Sequence, residues 1–510
     1  TSGALPTGLT LNADGTVTGT TPSVTGTETS YFTVEAVDDE NQSNTRTFNI
    51  VVLRPIYAYP ISQSLMFNDD DSQYLSYRMS AGDQKTMTIS MWVKRSTLSN
   101  GTSQRLFYRS NSDSSNQFGL FFQSDDTLRL FSRVSGTDRG DLRTTAVFRD
   151  TSAWYHIVAS MDAANTTATL WVNGVDLGDN SVTTFQNVDH QVNADSVIFE
   201  IGRRPNQGDQ FFDGYLAEVN LIDGQALTPT SFAETYNDVW VPKEYTGSYG
   251  TNGFHLESPA YLETHSMSHM SFDGSNDVMT TSSNNDFNLS SRTFTIEGWV
   301  RKDINANNKA QLISVGSGGS SVYWTLAIGT ANNGIYLGYG GGSWAFSGNY
   351  TINGITPPAN EWYYFALVGT GSTLRYYVNG AFVGSLAFNA FATQGGTFHF
   401  GNYYNNYNND GSWFQGDIGD FRITKDSALY IGDFHTVPTS SLTAVSGTVL
   451  LFNGATTDQT GRHSFSVSGV SSESADTYNY YDGKIEDLSG NGNHWASVAG
   501  YKPTLDTPTE

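Results

Sequence analysis

The stretch AWYHIVASMD at residues 153–162 returns in altered form as EWYYFALVGT at residues 361–370. Both place Trp-Tyr at their second and third positions. Successive side chains of a strand point to opposite faces. One face of the first stretch carries Trp154, His156 and Val158, and the other Tyr155, Ile157 and Ala159. The second sets Trp362, Tyr364, Ala366 and Val368 against Tyr363, Phe365 and Leu367. Both faces are largely apolar in each copy. A strand of that kind is central and covered on both sides, which places Trp154 and Trp362 in the cores of two sandwiches.

The surroundings of the two stretches repeat as well. TISMWVKR (88–95) answers to TIEGWVRK (295–302), and ATLWVNGV (168–175) to LRYYVNGA (374–381). FFDGYLAEVNLIDGQAL (211–227) answers to WFQGDIGDFRITKDSAL (413–429). The matches come in the same order at a nearly constant offset, which identifies a tandem duplication. Met87, Ile89, Met91 and Val93 alternate with Thr88, Ser90, Trp92 and Lys94, and Phe294, Ile296 and Val300 alternate with Thr295, Glu297, Trp299 and Arg301. Alternation of period two predicts strands with one core face. Trp92 and Trp299 then fall on the other face, expected to lie under a neighbouring loop. Asn-Gly between apolar strand residues predicts a type I′ hairpin in each copy. No amphipathic helix is legible. The fold class is all-β.

The ordered set SFDGSNDVM (271–279), a strand ending in Trp-Val, the Trp-Tyr strand, the Asn-Gly hairpin and FQGDIGDFRI (414–423) resembles the laminin-G-like, or concanavalin A-like, lectin/glucanase jelly roll. The first copy keeps the set with MFNDDDSQYLS (66–76) and FDGYLAEVNLID (212–223). GTNGFHLE (250–257) and GTVLLFNG (447–454) read as closing strands. The N-terminal phrase ALPTGLTLNADGTVTGTT, followed by YFTVEAVDDENQSNTRTFNIVV, resembles a bacterial cadherin-like or immunoglobulin-like module. It is shorter than a whole module, so upstream strands or another subunit would complete its sheet. The organisation expected is a partial Ig-like β-sandwich at 1–52, a linker at 53–63 and jelly roll 1 at 64–258. A second linker at 259–268, jelly roll 2 at 269–455 and a polar tail at 456–510 follow. The phrase DLSGNGNHW (487–495) in that tail resembles the opening of a further unit.

Asp and Glu number 50 against 26 Lys and Arg, for a net charge of −24. Phosphate contact needs a basic surface, so nucleic acid is excluded as an expected partner, and anionic membranes with it. No apolar run approaches a membrane span, so membrane insertion is not expected. The 0 cysteines exclude disulfides and thiolate chemistry and lean towards a bacterial or viral protein. The first residues lack the basic and apolar regions of a signal peptide, and the chain reads as cut from something longer.

No catalytic residue is assigned. Zinc-protease, nucleophile-elbow and phosphate-loop motifs are absent. Retaining glycosidases need two carboxylates about 5 Å apart, and jelly-roll glucanases set them on one strand. Glu297 has no second carboxylate in its strand and is expected to be solvated or hydrogen-bonded. The run NNYNNDGSWFQGD offers Asn406, Asn408 and Asp410, with Asp417 at the twelfth place from Asn406. Alternating oxygen donors of this kind suit calcium, and a polar turn is the competing reading. Asp69, Asp70 and Asp71, like Asp273 and Asp277, fall in the loop where the resemblance implies calcium binding at a sheet edge. Asx turns are the alternative there. Tyr403, Tyr404, Tyr407 and Trp413, with Trp344 in a second aromatic loop, have the ring-and-amide mixture that stacks on sugars. Such loops also make protein contacts.

The expected function is that of a non-enzymatic structural or adhesion protein. VWVPKEYTGSYGTNGFHLE (239–257) and the terminal DTPTE resemble phrases of marine phage structural proteins. That resemblance implies a virion surface: a fibre, capsid decoration or appendage that contacts host glycan, other virion subunits or copies of itself as a homo-oligomer. A secreted bacterial surface adhesin is the alternative. A polysaccharide-degrading enzyme is a third reading, which the missing carboxylate pair opposes.

Overall fold

The computed structural model describes all residues except 1, 21–27, 38–39, 53–58, 71, 100, 112, 178–179, 206–209, 237, 258–261, 304–309, 318–320, 329–334, 340–347, 353–359, 389–393, 403–412, 482, 499–501 and 510. Apart from three single-turn helices, at Ala163–Asn165, Pro229–Ser231 and Asn285–Phe287, the regular elements among them are strands. The chain divides into two compact units, residues 1–60 with 231–245, and the remainder.

In the smaller unit, Glu28–Val37 and Ser43–Val52 form a long antiparallel pair with Ser2–Gly3 at its edge. Leu9–Leu11 and Val17–Gly19 make a hairpin. Its turn is held by Asp14, whose carboxylate accepts the Thr16 N–H at 2.9 Å. Phe32 stacks on Phe48 with centroids 5.9 Å apart. Ala233–Tyr236 and Val239–Pro242 form a separate hairpin.

The larger unit holds both jelly rolls. In the first, Tyr155–Asp162 pairs with Thr86–Arg95, then Gly214–Asp223, then Ser64–Phe67. In the second, Trp362–Thr370 pairs with Thr293–Lys302, then Gln415–Lys425, then Leu262–Asp273. The opposing sheets also correspond. Gln104–Ser110, Ile198–Ile201 and Tyr74–Arg78 match Ala310–Ser317, Thr397–Phe400 and Val278–Thr281. Met87, Ile89, Met91 and Val93 are fully buried in one core, and Phe294, Ile296 and Val300 in the other, as their alternation requires. Phe254–Leu256 and Thr448–Asn453 are closing strands in both.

The two Asn-Gly hairpins have the expected backbone. Asn173 and Gly174 lie at φ 50° and 79°, Asn379 and Gly380 at 45° and 80°. Each Asn also ties its hairpin to the Trp-Tyr strand. The Asn173 N–H donates to the His156 carbonyl and its Oδ1 accepts the His156 N–H, both at 2.8 Å. Asn379 makes the same two bonds to Tyr364, again at 2.8 Å. The Trp-Tyr and Asn-Gly phrases recur together because they are one bonded unit.

Two expectations need correction. Residues 262–268 are not linker, because a strand runs from Leu262 to Asp273 and pairs along its length with Ser471–Tyr481. Nor is 456–510 a loose tail or the opening of another unit. Phe465–Ser468 and Ser471–Tyr481 add an edge strand to each sheet of the second sandwich. The chain then returns to the first sandwich, where Trp495–Val498 and Lys502–Thr504 add the two corresponding edges. The joints match too. Asp458 accepts the N–H groups of Leu451 and Thr460 at 3.1 and 3.0 Å. Asp487 accepts those of His255 and Ser489 at 2.9 Å each. The second sandwich, 262–481, is therefore inserted between the closing strand of the first and that strand's own continuation.

Candidate functional site

The tryptophans that suggested a ligand are mainly structural, though not as expected. Trp154 is half-buried just ahead of its strand, and its indole N–H donates to Asp506 at 3.1 Å. Trp362 is buried, in a second apolar layer on the outer face of the sheet. Neither belongs to the core between the sheets, because the strand's phase points Tyr363, Phe365 and Leu367 there. Trp92 stacks on His156 at 4.9 Å. Trp299 is covered by two strands, not by a loop: Tyr480 of the returning segment lies 4.7 Å and His265 of the strand Leu262–Asp273 5.1 Å from it, ring centroid to ring centroid.

Glu297 is fully buried, which rules out the solvated alternative. It pairs with Arg422 at 2.6 Å and accepts hydroxyl hydrogens from Tyr364 and, at 2.7 Å, from Tyr430. An isolated charge there would be costly, and these partners satisfy it. They also close it off from any substrate.

Tyr403, Tyr404, Asn406, Tyr407, Asn408, Asp410, Trp344 and Asp71 lie outside the described residues. Asp69 and Asp70 sit in a local turn, where the Asp69 carbonyl accepts the Ser72 N–H at 3.0 Å and Asn68 Oδ1 accepts the Asp70 N–H at 3.2 Å. Asp273 accepts the backbone and hydroxyl hydrogens of Ser275 at 2.8 and 2.7 Å, which hold its carboxyl below the usual range. Asp277 accepts the Asp273 N–H at 2.7 Å, and burial pushes its carboxyl up. The side chains of Asp273 and Asp277 thus bond their own loop, as in an Asx turn.

Asp273 and Asp417 do meet at one place. They line a cavity of about 540 Å³ at the edge of the second sandwich, together with Arg301, Asp303, Asn360 and Gln415. Gly416 brings the strand in tightly: at φ 140°, a Cβ there would lie 2.1 Å from the Arg301 carbonyl. Arg301 Nε donates to Asp417 at 2.7 Å, and Gln415 donates to Asp303 at 3.1 Å. Three carboxylates and one guanidinium line it, with Phe272 beside them. Trp413, half-buried, lies two residues before Gln415. Fixed carboxylates, amides and a guanidinium are groups that exchange hydrogen bonds with a polyhydroxyl ligand.

Sequence reasoning missed one cluster. Among the described residues, the group of three acids or histidines whose ligand atoms lie within 4.8 Å of one another is Glu218, His255 and Glu257. His255 Nε2 lies 2.8 Å from Glu218. Burial lowers the imidazole's affinity for a proton, but Glu218, with Glu257 and Asp487, more than offsets this and leaves its pKa raised. The alternate positions 255 and 257 were visible. Glu218 was not, because it reaches them from a bulge where its φ is 50°.

The model of the Concanavalin A-like lectin/glucanases superfamily matches residues 69–232 and 273–429, more than half of the chain. The chain belongs to that superfamily. A model described as a putative Ig domain matches residues 1–53. No curated protein matches the chain in sequence. Similar solved structures include laminin G domains 4–5 of the mouse laminin alpha1 chain, at 13% identity over 75% of this chain and 96% of that one, TM-score 0.24. A putative carbohydrate binding protein from Bacteroides ovatus matches at 14% identity over 78% and 97%, TM-score 0.30. The NanB sialidase from Streptococcus pneumoniae matches at 11% over 81% and 82%, TM-score 0.27. At TM-scores this low these likenesses add nothing to the family match.

Proposed function

We propose that the chain is a non-enzymatic carbohydrate-binding protein acting at the surface of a virion, as a fibre, decoration or appendage subunit. The observation that carries the binding reading is the polar cavity of Asp273, Arg301, Asp303, Gln415 and Asp417 in a lectin-superfamily sandwich. The closed environment of Glu297 supports a binding role over hydrolysis. The virion setting draws on the phage-like phrases at 239–257 and at the C-terminus. The same modules would serve a bacterial surface adhesin, and finding the protein only in bacterial surface fractions, not in purified particles, would favour that setting. Contact with other virion subunits and self-association belong to the same proposal.

Calcium is proposed on the family resemblance. Among the described residues, its candidate carboxylates do not form a group of three within 4.8 Å. A glycan array read with and without chelator tests the reading. Binding to at least one glycan is expected, weakened about tenfold by Arg301→Ala, which removes a charge-assisted donor. Retention of no glycan in either condition would leave the protein with a purely architectural role. A melting temperature indifferent to millimolar calcium would remove the metal.

A further inference from the structure

A second cavity, of about 440 Å³, lies between the two sandwiches. The first sandwich contributes Tyr77, Glu200 and Arg203, the second Phe382 and Ser385 from one hairpin strand and Phe434 from a loop. The volume is within the range of small-ligand sites. We infer that this cleft is a second saccharide site, built jointly by both sandwiches and taking a neutral oligosaccharide. Its ligand class rests on the carbohydrate reading above; its location does not.

The chemistry of the lining carries the inference. Glu200 is buried and held in a two-point ion pair by Arg203, at 2.6 and 2.9 Å. The Arg203 guanidinium sits 3.4 Å from the centre of the Tyr74 ring, which fixes its plane. Planar donors and acceptors are thereby presented in rigid positions with their charges already matched. Arg78 and Asp433 add one further charge of each sign. A balanced wall of this kind offers an ion little and polar hydroxyls much. Tyr77, Phe382 and Phe434 supply the apolar ring surfaces on which a sugar stacks. Rings and fixed polar groups thus line one cleft.

The cleft is preformed, because the returning chain pins the sandwiches together. The Gly483 N–H donates to the Asn379 carbonyl at 2.7 Å, and the Gly483 carbonyl accepts the Ser497 N–H at 2.7 Å. The approach is so close that a Cβ at Gly483 would lie 2.6 Å from the Val378 carbonyl. Tyr74 packs on Val378 and Val383 across the junction. Phe434 meets His494 edge-on at 6.0 Å. Preorganised walls reduce the entropy lost on binding.

Calorimetric titration of the intact chain with maltotetraose, cellotetraose and trigalacturonic acid tests the inference. Ser385 is exposed at the mouth of the cleft, so Ser385→Trp fills the space with little risk to the fold. A neutral tetrasaccharide is expected to bind at two sites. Ser385→Trp should remove one of them, by at least about tenfold in affinity, at unchanged melting temperature; Arg301→Ala should remove the other. Undiminished binding to Ser385→Trp, or binding of the acidic sugar alone, would overturn the cleft. A single site lost with Arg301→Ala would also overturn it while leaving the sheet-edge reading intact. A single site lost with Ser385→Trp would uphold the cleft and remove the sheet-edge cavity. No heat with any of the three sugars would defeat both.

Discussion

His156 and Tyr364 occupy the same place in the two sandwiches, each beside the indole of its cross-strand partner, Trp92 or Trp299. The imidazole alone makes that place sensitive to pH. His156 is fully buried, with Nε2 2.9 Å from the Ser90 hydroxyl, and burial lowers its pKa from 6.5 to about 3. Burial also lowers His399, to about 4. The folded state therefore resists protons that the unfolded chain accepts. The sign follows: stability is intact above about pH 6.5 and declines as pH falls towards these values, by up to about 1.4 kcal/mol per pH unit for each such group. His255 acts oppositely, since its raised pKa contributes stability that is present below pH 6.5 and lost as pH rises through the raised value. Urea melts at pH 7 and pH 4.5 should show a loss in the acid that His156→Gln reduces. An equal loss in the variant would contradict the assignment.

At the scale of elements, the returning segment matters most. Trp495 is fully buried in the first core, 4.9 Å from Phe254 and 5.5 Å from Tyr77 by ring centroids. Trp495→Ala should cost the first sandwich about 3–5 kcal/mol and leave the second unchanged. Two separated denaturation transitions, only one of them shifted, would show this; a shift of both equally would not fit. The strands around Trp92 and Trp299 were legible because alternation and Asn-Gly turns are local chemistry. The return was not legible, because pairing Trp495–Val498 with Tyr74–Arg78 joins residues over 400 positions apart, and the pairing itself leaves no trace in either segment. Its one signal was a second motif: Asp458 and Asp487 each begin an Asp-x-Thr/Ser-Gly turn. The site was legible only in part for a similar reason. Asp273 and Asp417 were singled out by type, but Arg301 and Asp303 reach the same cavity from the end of another strand and the residue just past it.

At the scale of the whole larger unit, insertion explains how a duplicated chain makes one joint body. The Leu488 N–H donates to the His255 carbonyl at 2.8 Å, so the two ends that flank the second sandwich lie side by side. Replacing residues 259–481 by a short Gly/Ser loop should leave a folded first sandwich, because loop-closure entropy grows slowly with length. A chain ending at residue 257 should not fold stably, since it exposes the surface that Trp495 covers. If the shorter chain folds as well as the looped one, the insertion is wrong. The carbohydrate reading rests on the polar cavity of the second sandwich, and it is most directly tested by passing a mixed oligosaccharide pool over the immobilised intact chain and weighing what elutes. The account predicts that a neutral oligosaccharide is retained and released at unchanged mass. Passage of every sugar in the flow-through, or elution of shortened products, would contradict it.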